Sequence, residues 1–532
     1  MKKIISILLV FLMLCGVFTG CGKEEATEAG SNKLSVGIPQ KSFVQDYDNN
    51  AFTKYLEENT GVDIEFVYFS GTATEYKQQL ALMASSGEEL PDVMSGFYDM
   101  GSNLVNTYGQ DGYFLDLTEL IDKYADTYKK AFKELDKEKQ ESITRTITDP
   151  DTGCIYAMPY VGMPLQDDLQ SMMYINQRWL DAVGMKAPTT IDELYNVLKA
   201  FKTQDPNGNG QADEIPMLGT ETIMNYVINA FIYYEYDHPY NVENSKVYAP
   251  YTTDEYREAL RFLNKLCKEG LYSDLSFTLK SKTDLKNLYT PASGIAQVGI
   301  IWGHPQLNAN PLSAVLEEYT ALDALKDATG KGGYCVVKQG HCRVSTFITK
   351  DCENPELAMK FCDFFYEDET VTRARYGEKD VDWKVQSGIS HTGEEASIYI
   401  LNGQAFFEGS QTWGQMHIGM LKTENFMTVA DTDDIAQSRT IRLLGESHQV
   451  FKNAKLKEET INGIVYNNDE FEVKEAYEST LNGYMKQETI LFVQGQKNIE
   501  TDWDAYIKQI DDLGLSSVLA FKQSAYDRLH KK

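Results

Sequence analysis

The chain has 532 residues, with 50 basic and 79 acidic side chains and a net charge of −29. So negative a field repels nucleic acid, whose binding rests on Lys and Arg neutralising phosphates, and it disfavours a strongly anionic ligand unless a local basic pocket overrides it. The length exceeds what one hydrophobic core organises, so two or more lobes are expected, while a hydrophobic fraction of 42% is ordinary for a globular protein.

The N-terminus opens with Lys2 and Lys3, followed by an almost wholly apolar run from Ile4 to Val17. A positive end and a short apolar core predict a secretory signal over residues 1–20. The run falls short of the ~20 residues that cross a bilayer comfortably. Phe18-Thr19-Gly20-Cys21 resembles the lipobox of bacterial lipoproteins. That resemblance implies cleavage after Gly20 and diacylation of the Cys21 thiol. The alternative is an ordinary cleaved signal with an incidental cysteine. Two acyl chains hold a protein firmly to a membrane, since each buried methylene contributes about 0.8 kcal/mol. Loss of Lys2 and Lys3 takes the net charge from −29 to −31. Residues 22–32 are polar and charged, and read as a flexible tether.

Beyond the tether a strand is expected at Leu34–Ile38, a helix at Phe52–Asn59 and a half-buried strand at Val62–Phe69. A helix at Tyr76–Ala84 and a short apolar run from Pro91 follow. Strand and helix keep alternating, which predicts α/β lobes. Chain crossings between lobes are expected at Ile155–Val161 and at Tyr334–Val337 or Phe347–Thr349. Lobe 1 is then 33–158 with about 335–385, and lobe 2 about 159–334 with 386–532. Thr190 and Glu193 form a capping box ahead of Leu194, Val197, Leu198 and Phe201, and Thr252 with Glu255 repeats it. Asn354-Pro355 supplies a cap and a first-turn proline. The charged stretch 455–500 is expected to form exposed helices and turns. Cys154, Cys267, Cys335, Cys342, Cys352 and Cys362 include no CxxC pair, so they read as buried thiols with pairing left open.

The most specific stretch is Gln204-Asp205-Pro206-Asn207-Gly208-Asn209-Gly210-Gln211-Ala212-Asp213-Glu214-Ile215-Pro216. Oxygen ligands stand at Asp205, Asn207 and Asn209, then the Gln211 carbonyl, then Asp213. Gly210 is sixth from Asp205, where a calcium loop of the EF-hand type turns sharply. Position twelve is Pro216 rather than Glu, so Glu214 is the candidate for the missing carboxylate. A structural Ca2+ is expected here. The alternative is a Gly/Asn-rich turn with solvated acids.

Trp179–Gly184, Ala187–Leu194 and the loop just described resemble family 1 extracellular solute-binding proteins. Leu90-Pro91-Asp92-Val93, Tyr156–Tyr160, Asn354–Ala358 and Tyr376-Gly377-Glu378 carry the same resemblance, which thins out over the last 150 or so residues. It implies a two-lobed, periplasmic-binding-protein-like α/β fold with crossover strands, an interlobe ligand cleft and closure by a hinge. It also implies a monomeric substrate receptor for sugars or oligosaccharides, working with ABC permease subunits at the outer face of a Gram-positive-type cell membrane, and a structural calcium in the loop.

A saccharide site needs aromatic faces for ring carbons and polar groups for hydroxyls. Trp302, at the end of the apolar run Val298–Ile301, and Trp413, in a polar loop, are the first candidates. Tyr160, Tyr98, Asp99 and Trp383 follow. For each, ordinary packing is the competing role. GxSxG, HExxH and GxxxxGK[ST] motifs are absent from the sequence. A surface glycoside hydrolase or lyase could still place two carboxylates spatially, and a receptor for peptides or another polar solute would share the hinge. A non-catalytic saccharide receptor is the leading expectation.

Overall fold

The computed structural model describes residues 32–530 apart from 163–171, 280–281, 304–307, 337–341, 391–394, 404, 406–409, 415–417, 422–427, 432–434, 458–460 and 462. The signal segment, Cys21 and all but the last residue of the tether lie outside the described residues. The strands in chain order are β1 (Lys33–Pro39), β2 (Asp63–Phe69), β3 (Val93–Met94), β4 (Met158–Val161), β5 (Met172–Asn176), β6 (Ile215–Met217), β7 (Asn241–Glu243), β8 (Lys246–Tyr248), β9 (Val298–Gly303), β10 (Tyr319–Ala321), β11 (Cys342–Ile348), β12 (Trp383–Ile389) and β13 (Glu395–Ile400).

The first lobe is built on a five-stranded sheet of order β2-β1-β3-β11-β4. β1 runs parallel to β2 and β3, and β11 lies antiparallel to both β3 and β4. The expected strands and helices of this half are present, because their apolar spacing matches what the sheet buries. Leu34, Val36 and Ile38 of β1 and Leu56 and Leu80 of the crossover helices are fully enclosed. Phe97 sits edge-on to both Phe69 and Tyr76, with centroids 5.1 Å apart in each case.

The second lobe holds a four-stranded sheet of order β10-β5-β9-β6. β6 and β9 are parallel, while β5 runs antiparallel to β9 and β10 to β5. Trp179 packs edge-on to Phe201 at 5.2 Å, so the residues of the Trp179–Gly184 motif serve this core. The charged stretch 455–500 is helical as expected, but it is not wholly exposed. It contains the helix Asn468–Val493, whose Leu481, Met485 and Phe492 are buried in the same core. Helical spacing lets one apolar stripe run through a highly polar sequence.

Two hydrophobic cores separate along these lines. One gathers residues from 34–161 and 342–420. The other gathers 172–335 and 443–526. The stretch 386–421, expected with lobe 2, places Trp413, Ile418 and Met420 in the first core instead. Val161 exchanges backbone hydrogen bonds with this segment, accepting from Leu421 and donating to Gly419. A non-local strand-like pairing of this kind leaves no periodicity in the sequence.

Local helix signals hold in two cases and slip in one. Thr190 and Glu193 close a full capping box, and Asn354 caps a helix with Pro355 in its first turn. At the third, the cap is Thr253 rather than Thr252. Pro250 starts a 3-10 turn that takes Thr252, whose hydroxyl donates to the Ala249 carbonyl at 2.9 Å. All six cysteines among the described residues are free.

Candidate ligand-binding site

Chain direction marks out a candidate site. β4 is parallel to β1 and β3, so it ends, at Val161, on the carboxyl edge of the first sheet. The chain then enters the second lobe at Met172, which pairs with Gly303, the last residue of β9. The crossover therefore joins the carboxyl edges of both sheets. In open α/β sheets ligands bind outside those edges.

On the first lobe this edge carries Lys41 after β1, Tyr98 and Asp99 after β3, Arg343 in β11 and Tyr160 in β4. Arg343 and Tyr160 are directly opposed in the β11–β4 pairing, which puts their side chains on one face. Arg343 bonds the Asp99 carboxylate at 3.1 Å, and its guanidinium lies 5.6 Å from the Tyr98 ring centre. Burial pushes the Tyr98 hydroxyl pKa up and the Lys41 ammonium pKa down, the latter opposed by Asp99. Three of the residues singled out from sequence, Tyr98, Asp99 and Tyr160, are thus gathered around one arginine.

On the second lobe the edge carries Trp302. Its indole N–H donates to the Thr222 hydroxyl at 2.9 Å, and the Tyr226 ring stands edge-on at 6.2 Å. Tyr289 donates its hydroxyl to the Trp302 carbonyl at 3.2 Å. Gly219 is required beside it, since a Cβ there would lie 2.8 Å from the Trp302 Cβ and 2.9 Å from the Ile223 Cβ. Thr220 and Thr222 place two hydroxyls 2.6 Å apart at the same edge. Trp302 is itself buried, 7% exposed, so this edge offers a polyhydroxylated ligand only the rim of an aromatic side chain beside two half-buried hydroxyls.

Trp413 and Trp383 are elsewhere. Trp413 is fully enclosed in the first core, with Phe52 and Phe66 edge-on at 5.2 and 5.4 Å and its N–H donated to Thr53 at 2.7 Å. It has no face to offer a ligand. The polar residues around it suggested an open loop, but they pack over the helix Ala51–Thr60, and Asn50 reaches the Thr412 carbonyl at 2.8 Å. Trp383 is buried at the start of the β12–β13 hairpin and donates to the Gly377 carbonyl at 2.8 Å. Lys41, Arg343 and Thr222 were missed from sequence, where nothing distinguishes them from other surface polar residues.

The 205–214 loop closes on itself. Asp205 accepts from the Asn209 and Gly210 backbone N–H groups at 3.2 and 2.9 Å. Asn209 and Asn207 give their amides to Asp213, which holds the Asp213 carboxyl below its ordinary value. Glu214 is different: its Oε1 is buried with no hydrogen-bond partner, and burial, with Asp205 and Asp213 beside it, pushes its carboxyl pKa up. An orphaned buried carboxylate oxygen next to two more acids fits a hard cation. Among the described residues no trio of His, Cys, Asp and Glu is spaced to hold a metal, so any such site depends on the loop's amide and backbone oxygens as well.

Residues 41–372 match the family of bacterial extracellular solute-binding proteins, and the chain belongs to it. It is thereby one of a class of binding proteins rather than enzymes. It is 26% identical over 504 residues, 91% of this chain and 88% of the relative, to the fructooligosaccharide ABC transporter substrate-binding protein FusA of Streptococcus pneumoniae. An HMO binding, ABC-transporter associated solute-binding protein from Bifidobacterium longum infantis superposes with a TM-score of 0.77 at 22% identity, covering 94% of this chain and all of that one. A FusA variant described as an EF-hand mutant, in complex with fructo-nystose, superposes with a TM-score of 0.73 at 23% identity, covering 93% and 99%. The expected two-lobed α/β architecture is the one these structures share.

Proposed function

We propose that this protein captures an oligosaccharide between its lobes and hands it to the permease subunits of an ABC importer. The observation that carries this reading is the pair of carboxyl edges joined by the β4–β5 crossover, one bearing Trp302 with Thr220 and Thr222, the other the Arg343–Asp99 pair with Tyr98 and Tyr160. Sugar hydroxyls both donate and accept, so they satisfy a carboxylate and a guanidinium alike, while ring carbons cover the aromatics. Closure of the lobes on the ligand shifts the population towards the form a permease reads. The relatives support the class of ligand, since FusA is by its name a fructooligosaccharide-binding protein.

Cys21 anchors the protein by acyl chains at the outer face of the cell membrane, and residues 22–32 hold it clear of the surface. It works as a monomer. The 205–214 loop binds one Ca2+ through Asp205, Asn207, Asn209, the Gln211 carbonyl, Asp213 and Glu214, a reading supported by the buried Glu214 oxygen and by the EF-hand named for FusA. The ion ties the helix Ile191–Thr203 to β6 and does no chemistry.

The test is calorimetric titration of the soluble chain with an oligosaccharide panel and a peptide mixture, with chromatography of each mixture afterwards. Stoichiometric binding of an unaltered oligosaccharide is expected. Release of shorter sugars would reassign the protein to the hydrolases, and binding confined to peptides would reassign its ligand.

A further inference from the structure

The first-lobe edge carries more positive charge than it neutralises. Two cations stand beside one carboxylate, that of Asp99. Arg343 bonds it at 3.1 Å. Burial pushes the Lys41 ammonium pKa down, and Asp99, the only charged group acting on Lys41, opposes this without cancelling it. Lys41 is therefore a half-buried charge with incomplete compensation. Other acids nearby act on tyrosines instead. Asp46 and Asp48, in the loop that carries Lys41, lie within range of Tyr68. Glu221, between Thr220 and Thr222 on the opposite edge, lies within range of Tyr236 and Tyr272 in its own lobe.

Hydrogen-bond capacity is out of balance in the same direction. A guanidinium has five N–H donors and an ammonium three, and neither accepts. Arg343 gives one to Asp99, through Nη1. Among the described residues the others have no hydrogen-bond partner, and neither does the Lys41 ammonium. Arg343 is half exposed, so the guanidinium edge formed by Nε and Nη2 stays open to a ligand. Two parallel N–H groups on that edge match the two oxygens of a carboxylate. Neutral hydroxyls would bond these donors but leave the excess charge uncompensated. A ligand carboxylate does both, and it gains more beside a half-buried cation than on an open surface. With Asp99 present the excess is one charge, which suits a single carboxylate. A polyanion stays disfavoured by the net charge of −29. Tyr98, its ring centre 5.6 Å from the guanidinium, and Tyr160, opposite Arg343 in the β11–β4 pair, supply aromatic contact for the adjoining ring carbons.

Resting on the saccharide reading above, we infer that the ligand is an acidic oligosaccharide, and that Arg343 and Lys41 together receive the carboxylate of one sugar-acid unit beside Asp99. Arg343 supplies the paired donors that fix the orientation of the carboxylate, and Lys41 supplies the counter-charge. The second-lobe edge, with Trp302, Thr220 and Thr222, meets the neutral part of the same ligand.

The test is calorimetry on the full mature chain with oligogalacturonates, glucuronate-branched xylo-oligosaccharides and sialyl-lactose, each beside its carboxyl-methylated ester, and with neutral fructo- and galacto-oligosaccharides. At least one acid is expected to bind about tenfold or more tighter than its ester, as a charged hydrogen bond allows, with the preference shrinking as salt rises. R343M and K41M should each lose most of the acid-to-ester ratio, with unchanged melting temperatures showing that the variants are folded. R343K, which keeps the charge but not the fork, should retain only part of it. T222A, on the opposite edge, should weaken acid and ester alike and leave the ratio as it was. Equal affinity for every acid and its ester, binding confined to the neutral sugars, or a preference untouched in both R343M and K41M overturns the acidic ligand and leaves the saccharide reading standing. Failure of the wild type to bind any oligosaccharide overturns both.

Discussion

Asn103 and Tyr466 belong to different lobes and exchange two hydrogen bonds: the Asn103 amide donates to the Tyr466 carbonyl at 2.6 Å, and the Tyr466 N–H donates to the Asn103 side-chain oxygen at 3.5 Å. Two residues on, Asn468 donates its backbone N–H to Asp151 at 2.8 Å and its amide to Gln110 at 2.6 Å. The first turn of the helix Asn468–Val493 is thereby stapled to the first lobe. A carboxylate at a helix N-terminus is favoured by the helix dipole as well.

This contact ties the two lobes together. Asn103→Ala combined with Asp151→Asn is expected to widen the unliganded protein, seen as a larger radius of gyration in solution scattering, and to lower the unfolding free energy by about 1–3 kcal/mol. An unchanged radius with an unchanged urea midpoint would show that the staple holds nothing.

The two leading tryptophans separate binding from packing. Trp302→Phe removes the bond to Thr222 and part of the aromatic face, and is expected to weaken oligosaccharide binding by about 1 kcal/mol, roughly fivefold. Trp413→Phe removes the indole bond to the Thr53 hydroxyl, which still donates to the Tyr47 carbonyl, and leaves a void in the core, so it should destabilise the fold by about 1–3 kcal/mol with no change in Kd. Calorimetry and urea unfolding on both variants check the pair, and a reversed pattern would exchange the two assignments.

Arg343 and Asp99 are both about half exposed, so their pair contributes little to stability. Arg343→Met should cost under about 1 kcal/mol of folding free energy. If the pair contacts sugar hydroxyls, the same variant should raise Kd about tenfold, because charged hydrogen bonds to a ligand are worth roughly 1.5–3 kcal/mol. Unchanged affinity removes the first-lobe edge from the site.

Glu214 gives the loop a pH signature. Its folded carboxyl pKa is raised, so the neutral form is the one the fold favours. The contribution of this group is fully present below the ordinary glutamate pKa and is lost as pH rises through the raised value. Without calcium the melting temperature should therefore fall with rising pH across that window, and Glu214→Gln should abolish this component. Added calcium should stabilise the wild type at neutral pH and chelator reverse it, with the variant responding less. A melting curve indifferent to calcium, chelator and the substitution removes the metal from the loop.

What could be read before folding was whatever rests on short-range chemistry. Thr190 with Glu193 and Asn354 with Pro355 state their caps within four residues, and the apolar residues of β1 and β2 mark both as strands. The family motifs and the Asp205–Glu214 ligand spacing are equally local, and the family follows from them together. Where the chain meets itself across hundreds of residues, composition misleads. Trp413 sits in a polar stretch because Thr53 and Asn50, some 360 residues away, absorb the polarity around it. Thr252 lost its cap to the turn at Pro250, and Trp413, Ile418 and Met420 joined the core of the lobe whose Val161 pairs with Gly419 and Leu421. Arg343 acquires meaning only through the β11–β4 register that sets it opposite Tyr160 and within reach of Asp99. Hydrogen bonds and ring contacts act over a few ångströms of space, so sequence alone decides them only when those ångströms are also a few residues.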